Sequence, residues 1–172
     1  RDRDDKVCDV GAGAAHLTLM LAARGLNITA VEPNDAMRIN GIKRTSALQN
    51  IYWHEGTGEQ TDQESYSFDM VTFGSSFNVC DRSKALKESA RILKPKGWFA
   101  CMWNHRQLEN VIQSQIEAII KNRVPDYGYG SRREDQTEIV DACELFGPVV
   151  HLSSRVTHTQ KISECVDAWR SH

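Results

Sequence analysis

The sequence Lys6-Val7-Cys8-Asp9-Val10-Gly11-Ala12-Gly13 joins a short apolar run to a turn that contains two glycines. Apolar residues then recur at helical spacing from 14 to 24, and Gly25 ends this helix. A second apolar run at 28–32 is a predicted strand, which Pro33 ends. A strand, a helix and a strand at this spacing predict a parallel βαβ unit, and hence an α/β protein.

Alternating elements continue along the chain. Further strands are predicted at 51–54, 68–73 and 98–103, and helices at 81–93, 107–121, 137–145 and from 163 to the end. A helix after Pro33 can be capped by Asn34 or Asp35, the polar residues at 55–67 predict a loop or a short helix, and 149–160 predicts a last strand. We therefore expect one Rossmann-like, doubly wound and mostly parallel sheet flanked by helices, with its ligand at the carboxyl ends of the strands.

Two segments predict local features. Leu108, Ile112, Ile116 and Ile119 are spaced as the apolar face of an amphipathic helix. The sequence Lys94-Pro95-Lys96-Gly97 breaks the preceding helix and is expected to form a type I turn before the fifth strand.

Length and composition indicate a single domain over 1–172. The chain has 172 residues, of which 40% are hydrophobic and 26% charged, which suits one buried core. The net charge is −2 and the basic residues form no run or stripe, so nucleic acid is not an expected partner. No apolar run approaches the ~20 residues that span a bilayer, so no membrane association is expected either. The oligomeric state stays open.

The cysteines bear on the cellular compartment. They are Cys8, Cys80, Cys101, Cys143 and Cys165. Their odd number and wide spacing include no Cys-x-x-Cys pair, so neither a metal site nor a redox motif is expected. Reduced thiols, together with the lack of any stretch resembling a signal peptide, predict a cytoplasmic protein.

The glycine turn and the end of the second strand carry the chemistry. Gly11 and Gly13 allow a tight bend and let a ligand approach main-chain N–H groups that a Cβ would shield. Glu32 follows Gly13 by nineteen residues, and at the carboxyl end of a strand its carboxylate can accept both hydrogen bonds of a ribose diol. The pattern predicts a site for a nucleoside-bearing cofactor.

Two cofactor classes fit such a site, a nicotinamide dinucleotide and S-adenosylmethionine. A dinucleotide would need a small residue where His16 stands, so that the helix packs closely around the pyrophosphate. The carboxylate of Asp9 would repel that pyrophosphate, whereas it suits the cationic groups of S-adenosylmethionine. The residues favour S-adenosylmethionine, and an NAD-dependent oxidoreductase is the main enzymatic alternative.

Five segments, in order, resemble the class I S-adenosylmethionine-dependent methyltransferases. The resemblance is to the small-molecule branch with a type 11 methyltransferase domain, which includes trans-aconitate methyltransferase-like enzymes. The segments are Val7-Cys8-Asp9-Val10-Gly11-Ala12-Gly13 with Thr18, Ala30-Val31-Glu32-Pro33-Asn34 with Met37, Gly56-Thr57-Gly58-Glu59, Ser67-Phe68-Asp69-Met70-Val71 and Arg91-Ile92-Leu93-Lys94-Pro95-Lys96-Gly97. The resemblance implies a cofactor-binding core at about 6–104 and acceptor-side elements at about 105–172.

The resemblance also implies a set of cofactor-binding residues. They are Asp9, Gly11, Ala12, Gly13, Glu32, Pro33, Met37, Thr57, Gly58, Gly74 and Ser75. On the nucleoside side, Glu32 would hold the ribose hydroxyls, Met37 would pack on the adenine, and Thr57 with the backbone N–H of Gly58 would face the adenine edge. Asp9 and the two residues just after strand four would lie near the methionine part.

The chain departs from the family pattern after strand four. An aromatic-His-Trp sequence is frequent there, but this chain has Phe77-Asn78-Val79-Cys80-Asp81, and Asn78 can only donate or accept a hydrogen bond. A carboxylate acceptor needs no base, so carboxylate methylation is compatible with Asn78, whereas a hydroxyl or amine acceptor would use His105 as the base. Asn78 and His105 are therefore the candidate catalytic residues.

The helix at 107–121 and the loop after it follow strand five, and we expect them to form most of the acceptor pocket. Trp103, Tyr127 and Tyr129 are either lid aromatics or packing residues. The family's helix before strand one and its final strand are missing, so the fold is expected to be incomplete at the N-terminal helix and the C-terminal strand. A non-catalytic S-adenosylmethionine-binding protein is a third hypothesis, because a degenerate enzyme would show the same gaps.

Overall fold

The computed structural model describes residues 4–128, 134–157 and 159–170. Its strands are β1 Lys6–Val10, β2 Asn27–Val31, β3 Ile51–His54, β4 Phe68–Gly74 and β5 Leu93–Met102, and its α-helices are α1 His16–Ala22, α2 Asp35–Thr45, α3 Arg82–Ile92, α4 Val111–Arg123, α5 Thr137–Ala142 and α6 Ile162–Arg170. The strands are hydrogen-bonded in the order β3-β2-β1-β4-β5, and every pair is parallel. The predicted α/β fold is confirmed, with a sheet that is wholly parallel over these strands.

β1 is the central strand and is buried on both faces. Val7, Cys8 and Val10 are each at most 1% exposed. β2 follows on one side of it and β4 on the other, so the strand order reverses at β1. In open α/β sheets, ligands bind in the crevice beyond the carboxyl ends of the strands at such a reversal. The glycine turn after β1 therefore lies where a ligand site is expected.

α2 is fixed at both ends, which positions its first turn at the carboxyl edge of the sheet. Asn34 caps the helix, because its Oδ1 accepts a hydrogen bond from the Met37 backbone N–H at 3.0 Å. Near the other end, Trp53 Nε1 on β3 donates to Thr45 Oγ1 at 3.0 Å. Met37 is thereby held above the end of β2.

An aromatic cluster forms the core on the β4 and β5 side. Phe73, Phe77 and Phe99 have ring centroids 5.3–5.7 Å apart. Phe146, after α5, extends this cluster with its centroid 5.2 Å from that of Phe99. The segment that contains α5 is thus packed on the same core as the sheet.

The predicted strand at 149–160 is wrong for the residues described there, 149–157 and 159–160, none of which is in a strand. Val150, Leu152 and Val156 are 64%, 92% and 83% exposed. A strand needs a neighbour to pair its backbone N–H and C=O groups. β5 is the last strand in the sheet order, and these residues do not pair with it.

α4 confirms the predicted helix, although it begins at Val111, but it does not bury the predicted apolar face. Ile112 and Ile119 are 65% and 64% exposed, whereas Glu117 is only 6% exposed. The less exposed side of this helix combines Glu117 with Ile116 and Ile120, and Glu117 forms an ion pair with Arg106 at 3.4 Å. Among the described helices, none combines the length and apolar character needed to cross a membrane.

The predicted type I turn at Lys94-Pro95-Lys96-Gly97 is also wrong. β5 pairs with β4 at Leu93 and again from Trp98, so these four residues bulge outward opposite Asp69. Lys96 has a φ of +68°. A type I turn requires negative φ at both central residues, whereas proline followed by a residue with positive φ is the signature of type II. Lys96 therefore occupies a position that favours glycine.

Replacing Lys96 with glycine is expected to stabilise the fold by about 1 kcal/mol, because a side chain in the left-handed region costs roughly that much. The measurement is the urea midpoint at an unchanged m-value. Lys43→Gly, at an exposed position in the last turn of α2, is the matched control and should lower stability by about 0.5–1 kcal/mol. A lower midpoint for Lys96→Gly would refute the strain assigned to this turn.

Candidate functional site

The glycine turn is held against the end of β2 by backbone hydrogen bonds. The N–H groups of Gly11 and Ala12 both donate to the Val31 carbonyl, at 2.8 and 3.1 Å. Ala12 is 8% exposed, so the chain bends tightly into α1 beneath this point. Gly11 and Gly13 both have positive φ, +68° and +56°, which L side chains rarely adopt.

The two glycines are needed for different reasons. A Cβ on Gly11 would lie 2.4 Å from Ser76 Cβ, so Gly11 is required by close packing of the loop after β4. A Cβ on Gly13 would meet only Met37 Cε within 4 Å, at 3.5 Å. Gly13 therefore presents its bare backbone to the open edge of the sheet, beside Met37, as a ligand contact would require.

Glu32 joins the two predicted halves of the site. Its carboxylate accepts hydrogen bonds from the backbone N–H groups of Gly13 at 2.8 Å and of Asn34 at 2.9 Å. The residue is only 7% exposed, so the carboxylate is fixed. A carboxylate has about four acceptor positions, and two remain after these bonds. Glu32 can thus brace the glycine turn and still accept hydrogen bonds from a diol.

A cavity of about 410 Å³ lies beside Glu32 at the carboxyl ends of β2 and β3. It is lined by Pro33, Glu55, Gly56, Thr57, Gln60 and Asp62. Arg38 fixes one side, because it donates to the Glu32 carbonyl at 2.8 Å and pairs with Glu55 at 3.3 Å. The structure thus brings Pro33 and Thr57, predicted from sequence, to a polar cavity next to the predicted ribose carboxylate.

Asp9 lies beneath the turn and is 1% exposed. Its carboxylate accepts hydrogen bonds from the Thr18 hydroxyl at 2.7 Å and the Thr72 hydroxyl at 3.0 Å. Burial raises the pKa of Asp9 to about 6, although the two threonine hydrogen bonds oppose that rise. Asp9 thus joins β1 to α1 and to β4 in the interior of the protein. The family resemblance had implied a position near the methionine end of a cofactor.

The third motif is tied to the loop after β4 by Cys80 and Glu59. A Cβ on Gly58 would lie 2.5 Å from Cys80 Sγ. The Gly58 backbone, expected at the adenine edge, packs against this thiol, and burial raises the thiol's pKa to about 11. Glu59 Oε1 accepts a hydrogen bond from the Asp81 backbone N–H at 2.6 Å. These contacts hold the motif against the start of α3.

Two residues with side chains adopt the left-handed backbone conformation at this edge of the sheet. Ala15, which begins α1, and Ser75, which follows β4, have φ of +68° and +64°. Ser75 is held there by a hydrogen bond from its N–H to the Met102 carbonyl at 2.9 Å. Gly74 precedes it, packed against Leu17. Left-handed conformations of residues with side chains cost energy and occur preferentially at functional sites.

The two candidate catalytic residues differ in their surroundings. Asn78 is half-buried, and its Oδ1 accepts a hydrogen bond from Trp103 Nε1 at 2.9 Å. This bond joins the loop after β4 to the end of β5. His105, two residues beyond Trp103, is exposed. Of the two aromatics in the predicted loop, Tyr127 accepts a hydrogen bond from Arg106 at 3.2 Å, and Tyr129 lies outside the described residues.

Several residues that shape the site were missed by the sequence analysis. They are Thr72, Ser76, Cys80, Arg106 and Glu117. Two of them carry a signal in the sequence. Thr72 is a polar residue inside an apolar strand, and Glu117 is an acidic residue in a helix that contains four isoleucines. The others act through contacts between distant segments, such as the hydrogen bond from Ser76 Oγ to the Val10 carbonyl at 2.6 Å.

The residues present fit a nucleoside cofactor. The bare backbone of Gly13 is hydrogen-bonded to the fixed carboxylate of Glu32, and Pro33, the next residue, lines the polar cavity together with Thr57. Met37 is 43% exposed there, so its side chain is available to pack on a planar ring. The arrangement can bind a ribose and a base in a defined orientation.

Comparisons with known proteins agree with this geometry. The family model described as a methyltransferase domain matches residues 8–101, which is more than half of the chain. This match favours the methyltransferase interpretation over the nicotinamide-dependent oxidoreductase. The trans-aconitate-like branch receives no specific support from it.

The sequence identities between this chain and individual relatives are low. The chain is 30% identical over 155 residues to a ubiquinone/menaquinone biosynthesis C-methyltransferase from Rickettsia prowazekii, covering 83% of this chain and 62% of the relative. It is 34% identical over 101 residues to an uncharacterised methyltransferase of Mycobacterium tuberculosis, covering 59% and 40%. The chain thus spans less than two thirds of either relative. The YcgJ protein of Bacillus subtilis has the same fold, with a TM-score of 0.61 at 23% identity over 82% of this chain and 60% of its own.

Asp9→Asn is expected to remove a pH dependence of stability. The folded protein keeps the Asp9 proton up to about pH 6, whereas an ordinary carboxyl has a pKa of 3.8. The stabilising contribution of Asp9 is therefore complete below pH 3.8 and is lost as the pH rises through about 6.

The free energy of unfolding of Asp9→Asn, relative to that of the unaltered protein, should therefore rise between pH 4 and pH 7, by roughly 3 kcal/mol for the full pKa change. Urea unfolding at several pH values measures this difference. Asp4→Asn, at an exposed residue before β1, is the control and should show no comparable trend. Parallel pH profiles for Asp9→Asn and the unaltered protein would contradict the prediction.

Proposed function

This chain belongs to the methyltransferase domain family, and on that premise we propose that it binds S-adenosylmethionine and transfers a methyl group to a small-molecule acceptor. The observation that carries the proposal is the Glu32 carboxylate, which is fixed on the Gly13 backbone N–H and is followed by Pro33 in the lining of a polar cavity. That carboxylate would accept hydrogen bonds from ribose hydroxyls beside the glycine turn. A nucleoside with a short cationic tail suits both features.

Each cofactor contact has a proposed residue. Glu32 would accept the ribose hydroxyl hydrogen bonds, and Met37 would pack on the adenine. Thr57 and Pro33, which line the cavity, would enclose the base. Gly13 would lie under the sugar, while Gly74 and Ser75 would line the methionine part. Asp9 would act indirectly, by holding the ends of β1 and β4 together through Thr18 and Thr72.

Catalysis would rest mainly on position. When bound, S-adenosylmethionine supplies a methyl group on a positively charged sulfur, which leaves without acid catalysis. The protein must hold the acceptor atom about 3 Å from that methyl group, in line and away from water. The loop after β4 and the segment after β5 are joined by the Asn78–Trp103 hydrogen bond at 2.9 Å, and they would form that enclosure.

The acceptor is proposed to need no general base. Asn78 can hydrogen-bond an acceptor oxygen through its amide N–H group but cannot remove a proton. A carboxylate oxygen is already deprotonated at neutral pH, so we favour carboxylate methylation. His105, exposed beyond β5, would serve as a base only if that segment closes over the acceptor.

A carbon acceptor is the second candidate. Relatives from Rickettsia, at 29–31% identity, have names that state C-methylation in quinone biosynthesis. The two outcomes differ chemically, because a methyl ester releases methanol in mild alkali and a C-methyl group does not. Alkaline treatment of the labelled product distinguishes them.

Calorimetric titration tests the cofactor. S-adenosylmethionine should bind and NADH should not, and a panel of acceptors should then give S-adenosylhomocysteine. Binding of NADH in preference would favour the oxidoreductase alternative. Binding of S-adenosylmethionine without turnover on any acceptor would favour a non-catalytic binding protein.

Glu32→Ala is expected to weaken S-adenosylmethionine binding by about 1.5–3 kcal/mol, because hydrogen bonds to a charged group are lost. Titration calorimetry measures the change. Glu64→Ala removes an exposed carboxylate from the loop between β3 and β4 and should bind as the unaltered protein does. Unchanged affinity in Glu32→Ala would remove Glu32 from the site.

Asn78→Ala is expected to lower turnover more than cofactor affinity, since the amide is assigned to the acceptor side. The comparison is kcat against the dissociation constant for S-adenosylmethionine. Trp103→Phe, which removes the indole donor to Asn78 and part of the ring that packs on the core, should reduce turnover in the same direction but less. An equal loss of turnover and affinity in Asn78→Ala would place Asn78 in the cofactor pocket instead.

A further inference from the structure

The thioether of Met37 lies beside the bare backbone of the glycine turn. Met37 is in the first turn of α2, and it is 43% exposed. Its Cε is 3.5 Å from the position that a Cβ on Gly13 would take, and no other described residue beyond the chain neighbours of Gly13 comes within 4 Å of that position. The Gly13 N–H is bonded to the Glu32 carboxylate at 2.8 Å. The thioether therefore ends where the proposed nucleoside would lie.

The helix that carries Met37 is held in place. Arg38, the next residue, donates a hydrogen bond to the Glu32 carbonyl at 2.8 Å. Gly41, one turn further along, is packed so closely on the Trp53 ring that a Cβ would not fit. Because α2 is fixed at these points, a chemical change at the thioether is not absorbed by a shift of the helix. Such a change alters the ligand space itself.

Peroxides oxidise a thioether at its sulfur. The O–O bond of hydrogen peroxide breaks, one oxygen forms an S=O bond with the methionine sulfur, and the other leaves as water. The sulfur loses two electrons and the peroxide gains them. The product, methionine sulfoxide, is polar and chiral, and methionine sulfoxide reductases convert it back to the thioether.

Two thiols of the same region are poor competitors for a peroxide. Cys80, whose Sγ packs against Gly58, is partly buried, and burial raises its pKa to about 11. Burial also raises the pKa of Cys101, on β5, to about 11. The thiolate is the reactive form of cysteine, so both groups are unreactive at neutral pH. A thioether has no proton to lose, and its oxidation requires only exposure to solvent.

Two other methionines are similarly exposed and serve as internal controls. Met20, on α1, is 58% exposed, and Met102, at the end of β5, is 40% exposed. Neither comes within 4 Å of the Cβ position of Gly13. A peroxide should therefore oxidise all three side chains, but only oxidation of Met37 changes the surface beside the glycine turn.

We propose that Met37 is an oxidation site that controls cofactor binding. The thioether packs on the adenine of S-adenosylmethionine, whereas the sulfoxide excludes it. A purine ring packed on the sulfoxide would desolvate the added oxygen, and the face of the ring offers that oxygen no hydrogen-bond donor. The inference rests on the proposed function and adds one input to it, which is oxidation by a peroxide.

The test measures S-adenosylmethionine binding by calorimetry before and after treatment with hydrogen peroxide. The unaltered protein is compared with Met37→Leu, Met20→Leu and Met102→Leu, and each protein is measured against its own untreated sample. Treated samples are then incubated with dithiothreitol alone, which reduces disulfides but not methionine sulfoxide, or with dithiothreitol and methionine sulfoxide reductases. Peptide mass spectrometry gives the extent of oxidation at each methionine.

Peroxide should weaken binding by about 5- to 100-fold in the unaltered protein, as expected for an acceptor desolvated without a partner. Met20→Leu and Met102→Leu should lose affinity to the same extent, whereas Met37→Leu should change less than about twofold. Only the reductases should restore binding. A full loss in Met37→Leu, resistance in either control, or failure of the reductases to restore binding would overturn the proposal. So would recovery with dithiothreitol alone.

Protection of the unaltered protein is a second measurement that needs no variant. S-adenosylmethionine at ten times its dissociation constant leaves roughly one tenth of the protein free, so it should slow oxidation of Met37 about tenfold. Oxidation of Met20 should proceed at the same rate with and without the cofactor. Equal rates for Met37 in the two conditions would contradict its place under the adenine.

Binding to the untreated protein separates this inference from the proposed function. If S-adenosylmethionine binds equally well before and after complete conversion of Met37 to the sulfoxide, the inference is wrong and the proposed function stands. If S-adenosylmethionine does not bind to the untreated protein, the proposed function is wrong, and adenosine becomes the probe. Protection of Met37 but not Met20 by adenosine would then support an oxidation site at a nucleoside pocket, and equal oxidation of both would overturn it.

Discussion

The hydrogen bonds that Glu32 accepts from the N–H groups of Gly13 and Asn34 join the glycine turn to the start of α2. Other side chains hold each segment separately, with Ser76 on the Val10 carbonyl and Arg38 on the Glu32 carbonyl. The buried carboxylate of Glu32 joins the two segments, because it fixes both backbones at a single point. The cavity beside Pro33 and the position of Met37 depend on that junction.

A second carboxylate supports the same edge from below. Asp9 links β1 to α1 through Thr18 and to β4 through Thr72, in a region from which water is excluded. Burial makes its charge costly, since the pKa is raised to about 6. The strained backbones of Ala15 and Ser75 lie at the same edge. This rigidity is costly to stability, and it suits a site that acts by holding two reactants in line.

The two sides of the proposed site are built differently. The nucleoside side uses backbone groups and one fixed carboxylate at the ends of β1 and β2. The predicted acceptor side would use long side chains on α4 and after β5, where Arg106, Glu117 and Tyr127 contact one another. Backbone contacts define a constant ligand, whereas side chains on connecting segments can differ in the acceptor that they select.

The sequence by itself determined the parallel sheet and its switch point, and it predicted the residues now proposed for the nucleoside side of the site. Those features follow from local patterns, such as the short run that forms Ile51–His54 and the glycine turn. In each pattern, the residues that decide the local structure lie within a few positions of one another. Only the tertiary structure decided the rest: which side of α4 is buried, the positive φ of Lys96, the lack of a strand in the described part of 149–160, and the contacts of Cys80 with Gly58. Each of these depends on a partner distant in sequence, and periodicity along one segment does not report what packs against it.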